Sequence, residues 1–572
     1  MKKYLRLWQL IALFVGLGLG MVILGGSTAA QEAVPAPSIV GTIYDLQGQP
    51  VAGAQVRLSQ TAESEPLAQA ATQPDGHFTL AITEPIPDAP LLFVERDHFH
   101  DIQRELTADQ VQCLRQGQSV TLSEIVLERR ISLAFGIATA IFVIILVLIA
   151  LGKLHNTLAA LLGAAIVLAI SYLGRPLHPD LFIFDFEGAL RYIDWNVIFL
   201  VMGMMIFIAV VERTGLFQWL ALMAYRVAGG RLWLLLAVLM IVAGVASAFL
   251  DNVTTMLLMT PITIQIALAM GTNPLALLIP EVLASNVVGI STLIGTPTNI
   301  LIGSYAQLSF NDFLSNLTPG VLLALVGLVI YSELIYRREF KGSGPGQVSE
   351  LLMAKLTERA RITEPVNLRK AGVVGVGMLA LFIFGENFHL LPAVTALLGS
   401  SILLVWIRPD IEEMIEAVDW TTLVFFMSLF IIVGAIQEVG LISFIAQGIG
   451  SLVGGNLTLA MVVVIWASAL LSMIIANIPF TAAMLPVVAY LTRTIPGVET
   501  KALFYCLSVG SAMGGNGSLI GASANLISAG IAERAGYPIT YLYFLKKGFP
   551  AMLITLTLAT LWLLLRFLVL GG

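Results

Sequence analysis

Charged side chains are scarce in this chain. Asp, Glu, Lys and Arg together make up 12% of its 572 residues, about half the share found in soluble globular proteins. Hydrophobic residues make up 58%, and many runs approach or exceed the roughly 20 apolar residues that cross a bilayer. This composition excludes a soluble domain as the bulk of the chain and predicts a polytopic membrane protein.

Cysteine and histidine are also rare. The two cysteines, Cys113 and Cys506, fall in a polar and an apolar segment respectively, so we expect no structural disulfide within the chain. The six histidines lie in polar stretches or at segment ends, and no His/Cys set has the spacing of zinc ligands. No HExxH motif occurs. We therefore expect that the protein has no resident metal and no cofactor and that it is not an enzyme.

The first 30 residues have the pattern of a secretory signal. Lys2, Lys3 and Arg6 precede an apolar run from Leu7 to Leu24, and small residues follow, as at a cleavage site. An uncleaved anchor helix is the alternative. Residues 1–30 are predicted to be a signal peptide or a signal anchor, and both export the segment that follows.

Residues 38–130 have the pattern of a small β-sandwich. Apolar and polar residues alternate over 38–44 and 51–58, and clusters of Gly, Pro and Asp separate the predicted strands. The run GxxxDxxGxPVxGAxVxL, followed by PDGxFxL, is similar to the carboxypeptidase-regulatory-like β-sandwich. That resemblance implies a non-catalytic module. His98 and His100 are expected in a solvated loop rather than in a metal site.

One stretch of the membrane part occurs twice. Residues 246–261 (ASAFLDNVTTMLLMTP) and 471–486 (LSMIIANIPFTAAMLP) place Asn252 on Asn477 at an offset of 225. In each copy a polar break centred on Asn interrupts an apolar run. Non-helical backbone survives in lipid only where protein buries it or a cavity lies beside it. Matching breaks in two halves therefore predict the substrate or ion site of a secondary transporter.

A second pair of breaks follows the first pair. Residues 293–299 (LIGTPTN) match residues 519–525 (LIGASAN) at an offset of 226. The first breaks predict hairpins at about 231–270 and 457–491, and the second predict interrupted spans at about 276–302 and 501–530. Together they indicate two transmembrane repeats, which we place at 131–336 and 370–572, joined by a polar linker at 337–369.

Lysine and arginine are distributed unevenly among the loops. They concentrate in the linker at 337–369, whereas the loops near 303–317, 387–392 and 438–456 contain none. The positive-inside rule then places the linker in the cytoplasm and residues 38–130 outside. This topology accounts for the basic residues without a nucleic-acid partner. The fold class is an all-α polytopic membrane protein with inverted repeats and two re-entrant hairpins, plus the exported all-β domain.

The four breaks supply candidate ligands for an ion. Gly and Pro let a helix unwind, which frees carbonyls for a cation, and half-helix N-termini offer N–H groups to an anion. Asn252, Asn299, Asn477 and Asn525 are candidates for Na⁺. The predicted half-sites are Asn252, Thr254, Thr298 and Asn299 for the first, and Asn477, Thr481, Ser523 and Asn525 for the second. The other break residues of the candidate site are Gly295, Thr296, Pro297, Pro479 and Gly521.

Two carboxylates fall within or beside these segments. Asp251 lies at the first hairpin tip, where a charge is costly and usually functional, and it is a candidate cation ligand, proton carrier or helix cap. Glu281 is a second candidate proton carrier, or else an interfacial residue at the entrance of a span.

The membrane motifs resemble those of the P protein branch of the ion transporter superfamily. The resemblance covers about residues 131–570 and rests on AFLDNVTTMLLMTP, GTPTN, NIPFTAAMLP and GGNGSLIGASAN. Relatives of that branch include arsenite permeases, NhaD-type Na⁺/H⁺ antiporters and divalent-anion/Na⁺ symporters. It implies a homodimer whose transport domain moves as an elevator. In the symporters a Ser-Asn-Thr tip helps bind Na⁺ and carboxylate, and here only Asn252 and Asn477 of those tips remain.

The sequence therefore predicts a secondary active transporter in the cell membrane. It would move a small ion, either an anion or the Na⁺/H⁺ pair, with Na⁺ or H⁺ as the coupling ion. The expected partners are that ion, the lipid bilayer and a second copy of the chain. Alternatives are an anion channel on the same scaffold, a Na⁺-coupled carboxylate symporter, and a sensor whose exported domain binds a ligand.

Overall fold

The computed structural model describes residues 37–571, except 47, 49, 62–63, 84, 152–153, 343–360 and 496–500. The predicted signal segment and most of the predicted linker lie outside the described residues. The chain divides into two compact units, Met1–Arg130 and Ile131–Gly572.

In its described residues the first unit has two β-sheets and one short helix. Its elements are β1 (Ser38–Asp45), β2 (Gln55–Ser59), β3 (Ala68–Ala71), β4 (His77–Ala81), β5 (Leu91–Glu95), β6 (Ile102–Glu105), α1 (Ala108–Arg115), β7 (Val120–Thr121) and β8 (Ile125–Leu127). One sheet has the order β4-β1-β7 with β8 also paired to β1, and the other has the order β3-β2-β5-β6. Alternate residues of β1 and β4 point into a shared apolar core, as the period-2 pattern predicts.

The loop after β5 departs from the sequence prediction at one histidine. His98 was expected to be solvated, but it is 5% exposed, and its carbonyl accepts a hydrogen bond from the Arg130 N–H at 2.8 Å. His98 adopts a positive φ of 69°, which turns the chain so that the histidine lies inward while His100 stays exposed. In the described residues no three His, Cys, Asp or Glu side chains are placed to share a metal.

The second unit is helical, and its helices form two corresponding series. The first series is α2 (Leu133–Ala150), α3 (Asn156–Gly174), α4 (Phe186–Arg191), α5 (Trp195–Arg213), α6 (Leu216–Ala228), α7 (Leu232–Leu250), α8 (Asn252–Ala269), α9 (Leu275–Gly289), α10 (Pro297–Ala306) and α11 (Phe310–Ile335). A short helix, α12 (Arg337–Gly342), follows it.

The second series repeats this order with similar lengths. It comprises α13 (Pro365–Phe384), α14 (Pro392–Ile407), α15 (Ile411–Glu416), α16 (Trp420–Glu438), α17 (Leu441–Val453), α18 (Leu457–Ile474), α19 (Asn477–Thr494), α20 (Ala502–Gly514), α21 (Ser523–Arg534) and α22 (Tyr541–Leu564). Ten helices among the described residues are long and apolar enough to cross a membrane. The predicted polytopic helical fold with an added β domain is confirmed.

Several helix boundaries differ from the apolar runs that predicted them. The apolar runs predict spans at about 318–336 and 548–569, but the helices α11 and α22 begin earlier, at Phe310 and Tyr541, because Ser309 and Thr540 cap a more polar first turn. The helix α13 likewise starts at Pro365, inside the predicted linker, since Pro is favoured in the first helical turn. The prediction of a loop near 438–456 is wrong for most of that stretch, because it contains the helix α17, Leu441–Val453.

The two series interleave instead of packing as separate halves. Helix α5 packs against α14, and the corresponding helix α16 packs against α3. Likewise α8 packs against α21, and its counterpart α19 packs against α10. At the α5–α14 crossing, a Cβ on Gly203 would lie 2.8 Å from the Ala396 carbonyl carbon, so glycine is required for this close approach. Each repeat therefore completes the packing of the other.

Candidate ion and substrate site

The first hairpin tip is a single residue between two helices. Asp251 separates α7 from α8 with φ 99° and ψ 153°, a conformation that is costly for any residue except glycine. Its Oδ1 accepts a hydrogen bond from the Thr254 N–H at 2.9 Å, and its Oδ2 accepts one from Thr254 Oγ1 at 2.8 Å. Asp251 therefore caps α8 with both carboxylate oxygens. Helix cap is one of the three roles predicted for it, beside cation ligand and proton carrier.

The second hairpin tip has no such cap. Ala476 occupies the cap position of α19 and offers no side-chain acceptor to the first N–H groups. The Asn477 side chain is 5% exposed and makes no hydrogen bond to a described residue. The hydroxyl of Thr481 is occupied, since it donates to the Asn477 carbonyl at 2.7 Å. This tip therefore keeps free amide and N–H donors, which suit an anion or a polar ligand group.

Each interrupted span is tied to the hairpin of its own repeat by one hydroxyl. Thr292 Oγ1 donates to the Ala248 carbonyl in α7 and accepts from the Gly295 N–H. In the second repeat Ser518 Oγ donates to the Met473 carbonyl at 2.5 Å and accepts from the Gly521 N–H at 3.1 Å. The same pair of bonds at corresponding positions shows that both breaks are built alike.

The two break glycines allow this close approach. A Cβ on Gly295 would lie 2.4 Å from the Gly289 carbonyl oxygen and 2.8 Å from that of Ser247. A Cβ on Gly521 would lie 2.8 Å from the Gly515 carbonyl oxygen. Only glycine fits where unwound backbone packs against backbone.

One asparagine bridges each break. The Asn299 amide donates to the carbonyls of Ile290 and Thr292, both at 2.8 Å. The Asn525 amide donates to the carbonyls of Gly515 and Ser518 at 2.9 and 3.0 Å. These side chains satisfy carbonyls that lost their helical partners, as a buried break requires.

The carbonyl oxygens of these two amides face the opposite repeat. Asn299 Oδ1 accepts a hydrogen bond from Ser508 Oγ at 2.6 Å, and Asn525 Oδ1 accepts one from Asn286 Nδ2 at 2.9 Å. Ser508 belongs to α20 and Asn286 to α9, so each bridge over a break is closed by a residue of the other repeat.

Asn286 is the hub of a buried amide cluster. It accepts a hydrogen bond from Asn252 Nδ2 at 2.7 Å and donates to Asn516 Oδ1 and Asn525 Oδ1 at 2.8 and 2.9 Å. All four asparagines are at most 5% exposed. Asn286 and Asn516 were not among the predicted site residues, although an Asn within or next to an apolar segment is itself a signal of a functional position.

The grouping of the predicted half-sites needs correction. The sequence placed Asn252 with Thr298 and Asn299, in its own repeat. In the structure Asn252 bonds through Asn286 to Asn525, because α8 packs against α21 of the other repeat. By the same exchange α19, with Asn477 at its start, packs against α10. The sites are composite, with ligands from both repeats.

The remaining predicted residues lie at the starts of the half-helices. Thr296 caps α10: its Oγ1 accepts from the Asn299 N–H at 3.3 Å and lies 3.0 Å from Thr298 Oγ1. Pro297 occupies the first turn of α10 and Pro479 that of α19. Ser523 begins α21 and is half-buried, so its hydroxyl is available at the surface of the cluster.

Glu281 lies apart from the tips, one and a half turns before Asn286 on α9. Its side chain is fully buried, and Thr263 Oγ1 donates to its Oε1 at 3.1 Å. Of the two predictions for Glu281, a proton carrier or an interfacial residue at the entrance of a span, this burial within the protein argues against the second.

Ten apolar spans, two helical hairpins and four buried polar breaks define a multi-pass membrane transporter. Residues 146–510 match the model of the citrate transporter family (CitMHS), and the chain belongs to that family. The predicted membership in the ion transporter superfamily is thereby confirmed. The prediction that the protein is a transporter and not an enzyme is confirmed as well.

Several known proteins are similar to this chain. The 46 kDa membrane protein of Mycobacterium leprae is 37% identical over 76% of this chain and 99% of its own length. An uncharacterized transporter of Mycobacterium tuberculosis is 38% identical over the same shares. The human P protein is 32% identical over 83% of this chain and 65% of its own length. The Alcanivorax borkumensis YdaH transporter shares the fold, with a TM-score of 0.50 at 15% identity over 72% of this chain and 99% of that one.

Proposed function

We propose that this protein is a secondary active transporter that moves a small ion and couples it to Na⁺ or H⁺. The observation that carries the proposal is the composite site: the first hairpin tip and both breaks are hydrogen-bonded to buried side chains that the two repeats supply jointly, and the helix that begins at the second tip packs against α10. Such irregular, polar backbone inside a bilayer is characteristic of a transport site.

The two tips suit ions of opposite charge. Asp251 brings a carboxylate to the first tip, so this side of the site favours the coupling cation. Ala476 leaves the start of α19 uncapped, so the second tip presents N–H groups and the Asn477 amide to an anion. The match to the citrate transporter family favours a carboxylate as the anion, whether the coupling ion is Na⁺ or H⁺.

The packing supports movement of the site as one body. Helices α7 to α10 and α18 to α21 contact one another across the repeats, whereas α3, α5, α14 and α16 form a second interleaved group. A cavity of about 430 Å³ lies where α5 and α14 meet the end of α10, and it is lined by residues that include Asn196, Gln307 and Thr395. We infer an elevator in which the first group slides against the second.

The proposal extends to assembly and orientation. The group with α3, α5, α14 and α16 would form the fixed part of a homodimer in the cell membrane. The positive-inside rule places the linker 337–369 in the cytoplasm and the β domain, residues 38–130, outside. Deletion of the β domain should then leave transport intact.

The test is uptake by purified protein in proteoliposomes under separately imposed Na⁺, pH and voltage gradients. The panel of anions would include citrate, dicarboxylates and arsenite. Asn252→Ala and Asn477→Ala should abolish ion-driven uptake, while Asn456→Ala, which alters only an exposed cap of α18, should retain it. Wild-type uptake in both site variants would refute the site. Anion currents that do not depend on the gradient of a second ion would instead indicate the alternative function, an anion channel.

A further inference from the structure

A fully buried carboxylate lies outside the tips and breaks. Glu281 accepts one hydrogen bond, from Thr263, and its Oε2 has no hydrogen-bond partner among the described residues. Ser285 follows one turn later on the same face of α9, and its buried Oγ also lacks a partner there. Unpartnered buried polar atoms are rare and need a reason. Here two of them lie on one face of one helix.

Polar side chains connect Glu281 with the amide cluster. Thr260 Oγ1, on α8, lies 3.2 Å from Ser528 Oγ, and Ser528 is one turn after Asn525 on α21. Asn525 bonds to Asn286, which is only ~7.5 Å of helix beyond Glu281. We call Glu281, Thr263, Ser285, Thr260 and Ser528 the polar seam. The hydrogen bonds Thr263–Glu281 and Thr260–Ser528, together with helical spacing, place its members between Glu281 and the composite site.

Among the described residues, none provides a countercharge to Glu281. Helices α7 and α8 and the turn Gly515–Gly517, which pack against α9, carry no titratable side chain. The other helices packed against α9 carry Asp312, Tyr331, Glu333, Tyr505, Cys506, Glu533, Arg534, Tyr541, Tyr543, Lys546 and Lys547. None of these groups forms an ion pair or hydrogen bond with Glu281. An ionised carboxylate buried without a partner is strongly disfavoured.

We propose that Glu281 is a proton-binding site of the transport cycle, loaded in the arrangement seen here and discharged along the polar seam. This inference rests on the proposed function. One proton adds to Oε2 to give a neutral carboxylic acid, and the same proton leaves when the seam opens to water. No other bond changes.

The geometry favours a proton over a metal cation at this place. A proton needs one acceptor, and Oε2 supplies it, whereas Na⁺ needs several oxygens around it. Asp251 differs from Glu281 in its hydrogen bonds. Both oxygens of Asp251 accept hydrogen bonds in the cap of α8, whereas Oε2 of Glu281 has no partner among the described residues and can take up a proton. The site is also unique to one repeat, since the residue 226 positions after Glu281 is the apolar Leu507.

The first experiment is independent of transport. Infrared difference spectra of the purified full chain would be recorded across a pH titration for wild type and Glu281→Gln. Wild type should show a carboxylic-acid C=O band that disappears as pH rises and that Glu281→Gln lacks. Thr263→Val should move this loss to higher pH, because the Thr263 hydroxyl stabilises the ionised form. Identical spectra for wild type and Glu281→Gln would overturn the proposal.

The second experiment separates the proton site from the transport function. In proteoliposomes with an internal pH dye, Glu281→Gln should exchange citrate across the membrane at near the wild-type rate but lose at least tenfold of its pH-driven accumulation and proton flux. Na⁺-driven citrate uptake by wild type without proton flux would overturn the proton site and leave the proposed function standing. A titrating band in a wild type that moves no ion of the panel would overturn the proposed function, and with it the coupling role.

Discussion

The Asn286 hub allows a quantitative test of the composite site. Asn286→Ala removes three hydrogen bonds of 2.7, 2.8 and 2.9 Å and leaves one donor and two acceptors without partners in a buried cluster. Each unsatisfied buried group costs about 1–3 kcal/mol, so the expected loss for the three groups is roughly 3–9 kcal/mol of cluster stability. The first tip should then lose its fixed position relative to α21.

The matched control is a second asparagine with the same number of bonds. Asn316 also makes three side-chain hydrogen bonds, to Asp312, Tyr505 and Arg566, and is 8% exposed. It lies on α11, away from the tips. Asn316→Ala should therefore lower the unfolding midpoint about as much as Asn286→Ala does, without disturbing the site.

The assay compares unfolding midpoint in detergent with uptake per folded protein in proteoliposomes. We expect Asn286→Ala to lose at least tenfold of uptake, equivalent to about 1.4 kcal/mol or more in the transport step, while Asn316→Ala stays within twofold of wild type. Equal uptake by the two variants would refute the hub, because it would mean that Asn286 contributes only general stability.

Two further predictions concern the tips and breaks. Gly295→Ala should prevent correct packing of the first break, which size-exclusion chromatography would show as a loss of folded protein. The control is Gly372→Ala, whose new Cβ has no neighbour within 4 Å and which should behave as wild type. A normal yield of both variants would contradict the close approach at Gly295. Asp251→Asn keeps an oxygen to cap α8 and should change stability by less than ~1 kcal/mol while raising at least tenfold the cation concentration needed for half-maximal uptake. An unchanged cation requirement would assign Asp251 to capping alone.

The sequence predicted the breaks well because their chemistry is local. Clusters of Asn with Thr, Gly or Pro in an apolar run favour a break in the helix, so Asn252, Asn477, Gly295 and Gly521 could be located before any packing was known. Single prolines such as Pro261 and Pro486 stay inside helices. The offset of 225 also identified most corresponding helices. What it did not give was the start of α11, because Ser309 caps a turn that is too polar to be counted in an apolar run.

Which helices pack against each other could not be predicted from the sequence, for a physical reason. Periodicity tells which residues face a neighbour but not which helix that neighbour is. The prediction joined Asn252 to Asn299 by pairing each hairpin tip with the interrupted span of its own repeat, whereas packing of α8 on α21 also links it, through Asn286, to Asn525. Asn286 and Asn516 were visible as isolated polar residues, and only the interleaving shows that they meet.

The crossed closure of the breaks bears on how such a chain arose. Ser508 closes the bridge at Asn299, and Asn286 closes the one at Asn525, so neither repeat holds a complete set of partners. A polypeptide with only one repeat would need a second copy of itself to bury its own break. Joining two copies in one chain gives each break its partner within the same molecule and leaves the two copies free to diverge. Asp251 opposite Ala476, and Glu281 opposite Leu507, are the marks of that divergence.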